Sequence, residues 1–140
     1  MTESELNELS GNLIGACIEV HKYLGPGLME SAYQECLCHE LSLRGISYVK
    51  EYDISIEYKG VVIPTRLRAD MLIESSIIME LKSVSELIPV HEAQLLTYLK
   101  LTGCQLGLLI NFNVPLLKDG LKRVKYYPKP SHVPYPNHGQ

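Results

Sequence analysis

With 140 residues, 46% of them hydrophobic and 21% charged, the chain has the size and composition of one compact domain, which excludes a repeat array or a two-domain enzyme. Thirteen Lys and Arg stand against 16 Asp and Glu, a formal charge of −3, so bulk positive charge cannot hold nucleic acid or a membrane and any polyanion has to be gripped locally. No apolar run reaches the roughly 18 residues of a membrane helix, and the acidic opening MTESELNEL is unlike a secretory signal, so the expectation is a cytoplasmic chain with no membrane partner.

Leu6, Leu9, Leu13, Cys17, Val20 and Leu24 recur every three or four residues and predict an amphipathic helix that stops at Gly25-Pro26-Gly27. A second helical stripe, Met29, Ala32, Tyr33, Cys36, Leu37 and Leu41, runs to Gly45, a residue suited to the position past a helix end. From Tyr48 the period falls to two. Tyr48, Tyr52, Ile54, Ile56 and Tyr58 are expected on one side of a strand, with Glu51, Asp53, Ser55 and Glu57 on the other. Tyr58-Lys59-Gly60-Val61 is a turn, after which Val61, Ile63, Leu67, Ala69, Met71 and Ile73 form the apolar face of a second strand and Arg66, Arg68 and Asp70 the opposite face. A turn at Glu74-Ser75-Ser76 leads into a third strand, where Ile77, Met79 and Leu81 alternate with Ile78, Glu80 and Lys82. These three strands make an antiparallel meander.

Pro89 opens a third helix that runs to Leu101, with Gly103 at its end. Leu106 to Phe112 is a continuous apolar run, the pattern of a strand covered on both faces, so strand, helix and buried strand predict a right-handed parallel crossover. Leu121 to Tyr127 predicts an edge strand rich in Lys and Arg. The expected architecture is mixed α/β: an α-α-β-β-β-α-β core in residues 1–127, its mixed sheet flanked by helices. Residues 128–140 hold four of the eight prolines and are expected to be a flexible tail. Cys17, Cys36, Cys38 and Cys104 form no CxxC pair and read as reduced core residues, not as disulfides or zinc ligands.

With the second turn centred on Ser75, Asp70 lies opposite Glu80 and Arg68 opposite Lys82. Directly opposed side chains have Cβ atoms roughly 5 Å apart, so two carboxylates meet on one sheet face, a destabilising arrangement unless a cation sits between them. A hard divalent ion such as Mg²⁺, which takes carboxylate and carbonyl oxygens, is the natural candidate. Lys82, two residues beyond Glu80, shares that face.

Asp70, nine intervening residues and Glu80-Leu81-Lys82 resemble the D-(x)n-(D/E)-x-K signature of the PD-(D/E)XK nuclease superfamily, whose core also has the order helix, three-strand meander, helix, strand. Gly27-Leu28-Met29-Glu30-Ser31-Ala32-Tyr33 spells G-x-x-E-x-x-Y. Together with Val20-His21, Arg68-Ala69-Asp70, Glu80-Leu81-Lys82-Ser83, His91-Glu92-Ala93-Gln94 and Leu108-Leu109-Ile110-Asn111-Phe112, it makes the chain similar to the GxxExxY protein family from Leu6 to Tyr127. Ala69 stands in the place of the superfamily's nominal proline. The resemblance implies a restriction-endonuclease-like fold and Mg²⁺- or Mn²⁺-dependent hydrolysis of phosphodiester bonds in nucleic acid, DNA above all. It implies Asp70, Glu80 and the Leu81 backbone carbonyl as metal ligands, joined by Glu30 from the first core helix, with Lys82 orienting or activating the attacking water. Gln94 and Tyr98 resemble the Q-x-x-x-Y element of RecB-like nucleases and would position substrate.

Arg66 and Arg68 are candidate phosphate contacts, and Lys118, Lys122, Arg123 and Lys125 form a second local basic cluster. Each choice has a plainer alternative. A solvated strand face with a cross-strand ion pair is the commoner origin of residues such as Asp70, Glu80 and Lys82, and it is the family pattern that ranks metal chemistry ahead. Glu30 would favour the positive end of a helix. Tyr33 reads as a packing residue whose hydroxyl reaches a partner, His21 as a satisfied core histidine, and His91 as a structural residue of a first helical turn. Gln94 and Tyr98 read also as a helix face against the sheet, Arg66 and Arg68 as partners of Glu51 or Glu57, and the C-terminal cations as a solvated edge that discourages strand pairing. Three readings stay open: a metal-dependent nuclease, which the intact acid, acid and lysine set favours; an accessory module of the same fold that binds nucleic acid or a partner protein without cutting; and hydrolysis of a different phosphate ester, because fold does not fix function. The acidic balance favours the second, or a nuclease that gains affinity as a homodimer or with a protein partner.

Overall fold

Thr2 starts the first helix, α1 (Glu3–Leu24), through a capping box: its hydroxyl accepts from the Glu5 amide and the Glu5 carboxylate accepts from the Thr2 amide. Gly25 ends it in a positive-φ conformation that a side chain would disfavour, with its amide on the His21 carbonyl. Helix α2 (Glu30–Leu43) turns Tyr33, Leu37 and Leu41 against the buried face of α1, where Leu13, Ala16 and Cys17 are fully covered. The structure, a computed structural model, describes residues 1–128, so the expected tail lies, beyond Pro128, outside the described residues.

The meander follows as β1 (Tyr48–Tyr58), β2 (Val61–Ile73) and β3 (Ile77–Lys82); then come α3 (Pro89–Thr102), β4 (Leu106–Asn111), a short 3-10 turn (Leu117–Gly120) and β5 (Leu121–Lys125). The sheet order is β1-β2-β3-β4-β5, with β3 and β4 parallel and every other neighbour antiparallel. The expected α-α-β-β-β-α-β order holds, with β5 as an added edge. Every residue of β4 is buried, which explains its unbroken apolar run. Helices α1 and α2 cover one face of the sheet through Met71, Met79, Leu81, Leu108 and Phe112, and α3 covers the other through Leu72, Ile78 and Leu109. Among the described residues no helix is long and apolar enough to cross a membrane.

The expectation that Tyr48, Tyr52, Ile54, Ile56 and Tyr58 share one face fails at Glu51. Glu51 has φ 55°, and the ladder passes from Lys50 opposite Met71 to Tyr52 opposite Ala69 without a Glu51–Asp70 pair. Tyr48, before the break, packs on the α1–α2 core; Tyr52 and Ile54, after it, pack on the α3 core. On β2, likewise, Met71 and Ile73 go to the first core and Leu67 and Ala69 to the second, so its apolar residues do not form one face either. An alternation rule assumes an unbroken pleat; the left-handed Glu51 breaks it on β1, and β2 changes face across the facing residue, Asp70. Cys17 and Cys38 are buried and Cys104 half-buried, as expected, whereas Cys36 is exposed because it lies off the buried stripe of α2; all four are free thiols.

Candidate functional site

Strands β2 and β3 pair in the expected register through Ile73–Ile77, Leu72–Ile78 and Met71–Met79. Past that point side chains replace the ladder. The Asp70 amide donates to Glu80 Oε2 at 2.7 Å, and the Leu81 amide donates to Asp70 Oδ2 at 2.7 Å. The two carboxylates are thereby interlocked between the strand ends. Glu80 is only 4% exposed. Burial, then the neighbouring Asp70 charge, push its carboxyl from the usual 4.5 to about 8, against the Asp70 amide and the Lys82 ammonium. Burial also raises Asp70, opposed by the Leu81 amide and by Lys82, while Glu51 and Glu30 add to the rise. Lys82 therefore acts on both acids.

A cavity of about 210 Å³ opens beside Asp70, lined by Glu30, Ser31, Gln34, Glu51, Asp70 and Leu81. Glu30, the first residue of α2, is placed there by a braced loop. The Tyr33 hydroxyl donates to the Gly25 carbonyl at 2.6 Å and accepts from the Leu28 amide at 3.2 Å, while its ring stacks on Phe112 at 4.4 Å. The Ser83 hydroxyl, next to Lys82, donates to the Leu28 carbonyl. In the G-x-x-E-x-x-Y segment, then, the tyrosine braces the loop and the glutamate faces the cavity. Gln34, one turn beyond Glu30, donates from Nε2 to the Asp70 carbonyl at 3.0 Å and ties α2 to β2.

Sequence reasoning missed Gln34 and Glu51. Gln34 carried a usable signal, since residues four apart share a helix face. Glu51 carried none: an unbroken hairpin closed at Lys59-Gly60 would place it opposite Arg68, and only the register shift between Ile54 and Ile56 moves it to Asp70.

From the other side of the sheet α3 brings Tyr98 to the acids. Burial raises the phenol's pKa, as do the Glu80 and Asp70 charges, while a hydrogen bond with Gln94 opposes them. The two other histidines considered in sequence are structural: His91 Nδ1 accepts from the Ile88 amide at 3.1 Å, and His21 Nε2 bonds the Val114 carbonyl at 2.8 Å.

The chain matches the family model of the PD-(D/E)XK nuclease superfamily over residues 7–124, a span that takes in every residue of this site. It belongs to the PD-(D/E)XK nuclease superfamily. Its five-stranded mixed sheet and three helices are the restriction-endonuclease-like arrangement of that superfamily. Comparison with curated proteins finds no match.

PD-(D/E)XK nucleases generally use divalent metal ions on nucleic acid, and the donors here fit such an ion in kind. Glu30, Glu51 and Asp70 are hard carboxylates, with neither Cys nor His among the lining residues, the set that suits Mg²⁺ or Mn²⁺ and not zinc. Among the described residues none of Glu30, Glu51, Asp70 and Glu80 has a Lys, Arg or His ion-pair partner, although the Lys82 ammonium acts on Asp70 and Glu80. Glu30, Glu51 and Asp70 stand around the space without closing on it, and Glu80 and Lys82 are not among its lining residues: no three His, Cys, Asp or Glu side chains among the described residues converge tightly enough to enclose an ion.

Two expectations about Arg68 are corrected. Arg68 does not lie across a ladder from Lys82, because β2–β3 pairing ends at Met71–Met79; its guanidinium pairs with Asp53 at 2.9 Å, rather than with Glu51 or Glu57. Lys122 pairs with Glu92 at 3.4 Å, and Arg123 donates to Ser10 at 3.0 Å and Asn7 at 3.1 Å. Arg66 and Lys125 are exposed.

Proposed function

We propose that the chain is a Mg²⁺- or Mn²⁺-dependent nuclease of the GxxExxY family that hydrolyses phosphodiester bonds in DNA, its folded unit spanning residues 1–127. The observation that carries this reading is the interlocked Asp70–Glu80 pair, held by the Asp70 and Leu81 amides beside Lys82. In the proposal Asp70, Glu80, Glu30 and the Leu81 carbonyl hold the ion. Such an ion, when bound, supplies Lewis-acid polarisation of the phosphoryl group and activation of water. Lys82 orients the water and stabilises negative charge as the phosphate is attacked. Gln94 and Tyr98 position the substrate from α3. Free thiols at all four cysteines support a cytoplasmic setting.

The test is calorimetric titration of Mn²⁺ into wild type and Asp70→Ala, followed by incubation with single- and double-stranded DNA. Asp70→Ala is expected to lose Mn²⁺ binding. Lys82→Ala is expected to keep it and to cut at least about 100-fold more slowly. A wild-type chain that takes up no Mn²⁺ and cuts neither DNA overturns the reading.

The pairing of Arg68, Lys122 and Arg123 within the fold favours a second reading, a non-cleaving module that binds nucleic acid or a partner protein, as a homodimer or within a complex. Nucleic-acid binding that survives chelation, with no cutting, selects it.

A further inference from the structure

We infer that Glu51, outside the D-(x)n-(D/E)-x-K signature, is a further carboxylate ligand of the divalent-cation site, so that β1 contributes to ion binding alongside α2 and β2. The inference rests on the metal-dependent reading above. Glu51 rims the same cavity as Glu30 and Asp70, and none of the three has a cationic ion-pair partner among the described residues. Its field reaches both Asp70 and Glu80.

The backbone adds an independent reason. Glu51 sits inside a strand at φ 55°, a region that side chains with a Cβ adopt only at a cost. Solvation does not explain it, because a glutamate on the outer face of an edge strand is equally exposed with regular backbone. What the conformation changes is direction: the face reversal comes at the position level with Asp70, and it brings the carboxylate to the cavity.

The test uses the full chain and MnCl₂, with calorimetric affinity and thermal unfolding, each with and without the ion, as readouts. Glu51→Gln removes the charge at constant size, Glu51→Asn removes it while tolerating left-handed backbone, and Glu51→Asp keeps a carboxylate. Glu51→Gln and Glu51→Asn are expected to weaken Mn²⁺ binding at least about tenfold and to shrink the Mn²⁺-induced rise in Tm. Glu51→Asp recovers part of both. Metal-free Glu51→Asn is expected to melt no lower than wild type, which separates lost ligation from lost folding. Unchanged Mn²⁺ affinity in both neutral variants, with binding abolished by Asp70→Ala, overturns the role of Glu51 and leaves the nuclease reading intact. Binding that survives Asp70→Ala overturns the metal reading and this inference with it.

Discussion

Glu80 is a carboxylate that folding would rather keep protonated. Its folded pKa, about 8, lies above the usual 4.5, so between those values the native state holds a proton that the unfolded chain has released. Stability of the metal-free protein must therefore fall as pH rises through that window and level off above it, by an amount on the order of a few kcal/mol. Urea unfolding from pH 5 to 9 in chelator is expected to show this slope, and Glu80→Gln, which cannot titrate, is expected to flatten it. Added Mn²⁺ reverses the trend, because a cation competes with the proton and binds more tightly as pH rises. Asp70, Glu80 and Lys82 were legible in the sequence because a short turn sets their register from nearby residues. Tyr33 was read correctly as a packing residue with a satisfied hydroxyl. Glu51 was not legible, since its place depends on a backbone reversal that leaves no trace in hydrophobic periodicity.

Helix α3 meets the sheet over Gly107, and the reason for a glycine inside a buried strand is steric. A Cβ there would come within 2.8 Å of Leu95 Cδ1, so its absence lets α3 settle close enough to hold Tyr98 over the acids. Gly107→Ala is expected to destabilise the fold by about 1–3 kcal/mol, read as a lower urea midpoint at unchanged m-value. The parallel β3–β4 pair was legible as elements: an apolar run in β4, a Pro-initiated helix before it and a glycine stop between them leave few other arrangements. The 3-10 turn Leu117–Gly120 was not. Its short apolar and charged run has no period to read, and a tertiary contact helps define it: a side chain on Gly120 would collide with the Asn111 carbonyl.

Across the whole molecule the charge distribution decides how a polyanion can be held. The net charge is −3, and Arg68, Lys122 and Arg123 are already engaged with groups of their own fold. With an acidic balance and three of the candidate phosphate contacts held within the fold, DNA affinity in Mn²⁺ is expected to fall gently with KCl, with a log–log slope no steeper than roughly −2 in an anisotropy titration. A slope several times steeper would mean that Lys122 and Arg123 exchange their internal partners for phosphates. Sequence order adds a constraint in time. Glu30, Glu51, Asp70, Glu80 and Lys82 all precede α3, yet β3 is secured on its far side by β4, near the end of the domain. A chain emerging from the ribosome thus carries the acids of the candidate site before it carries the strand that steadies them, and the pocket can set only once β4 has followed.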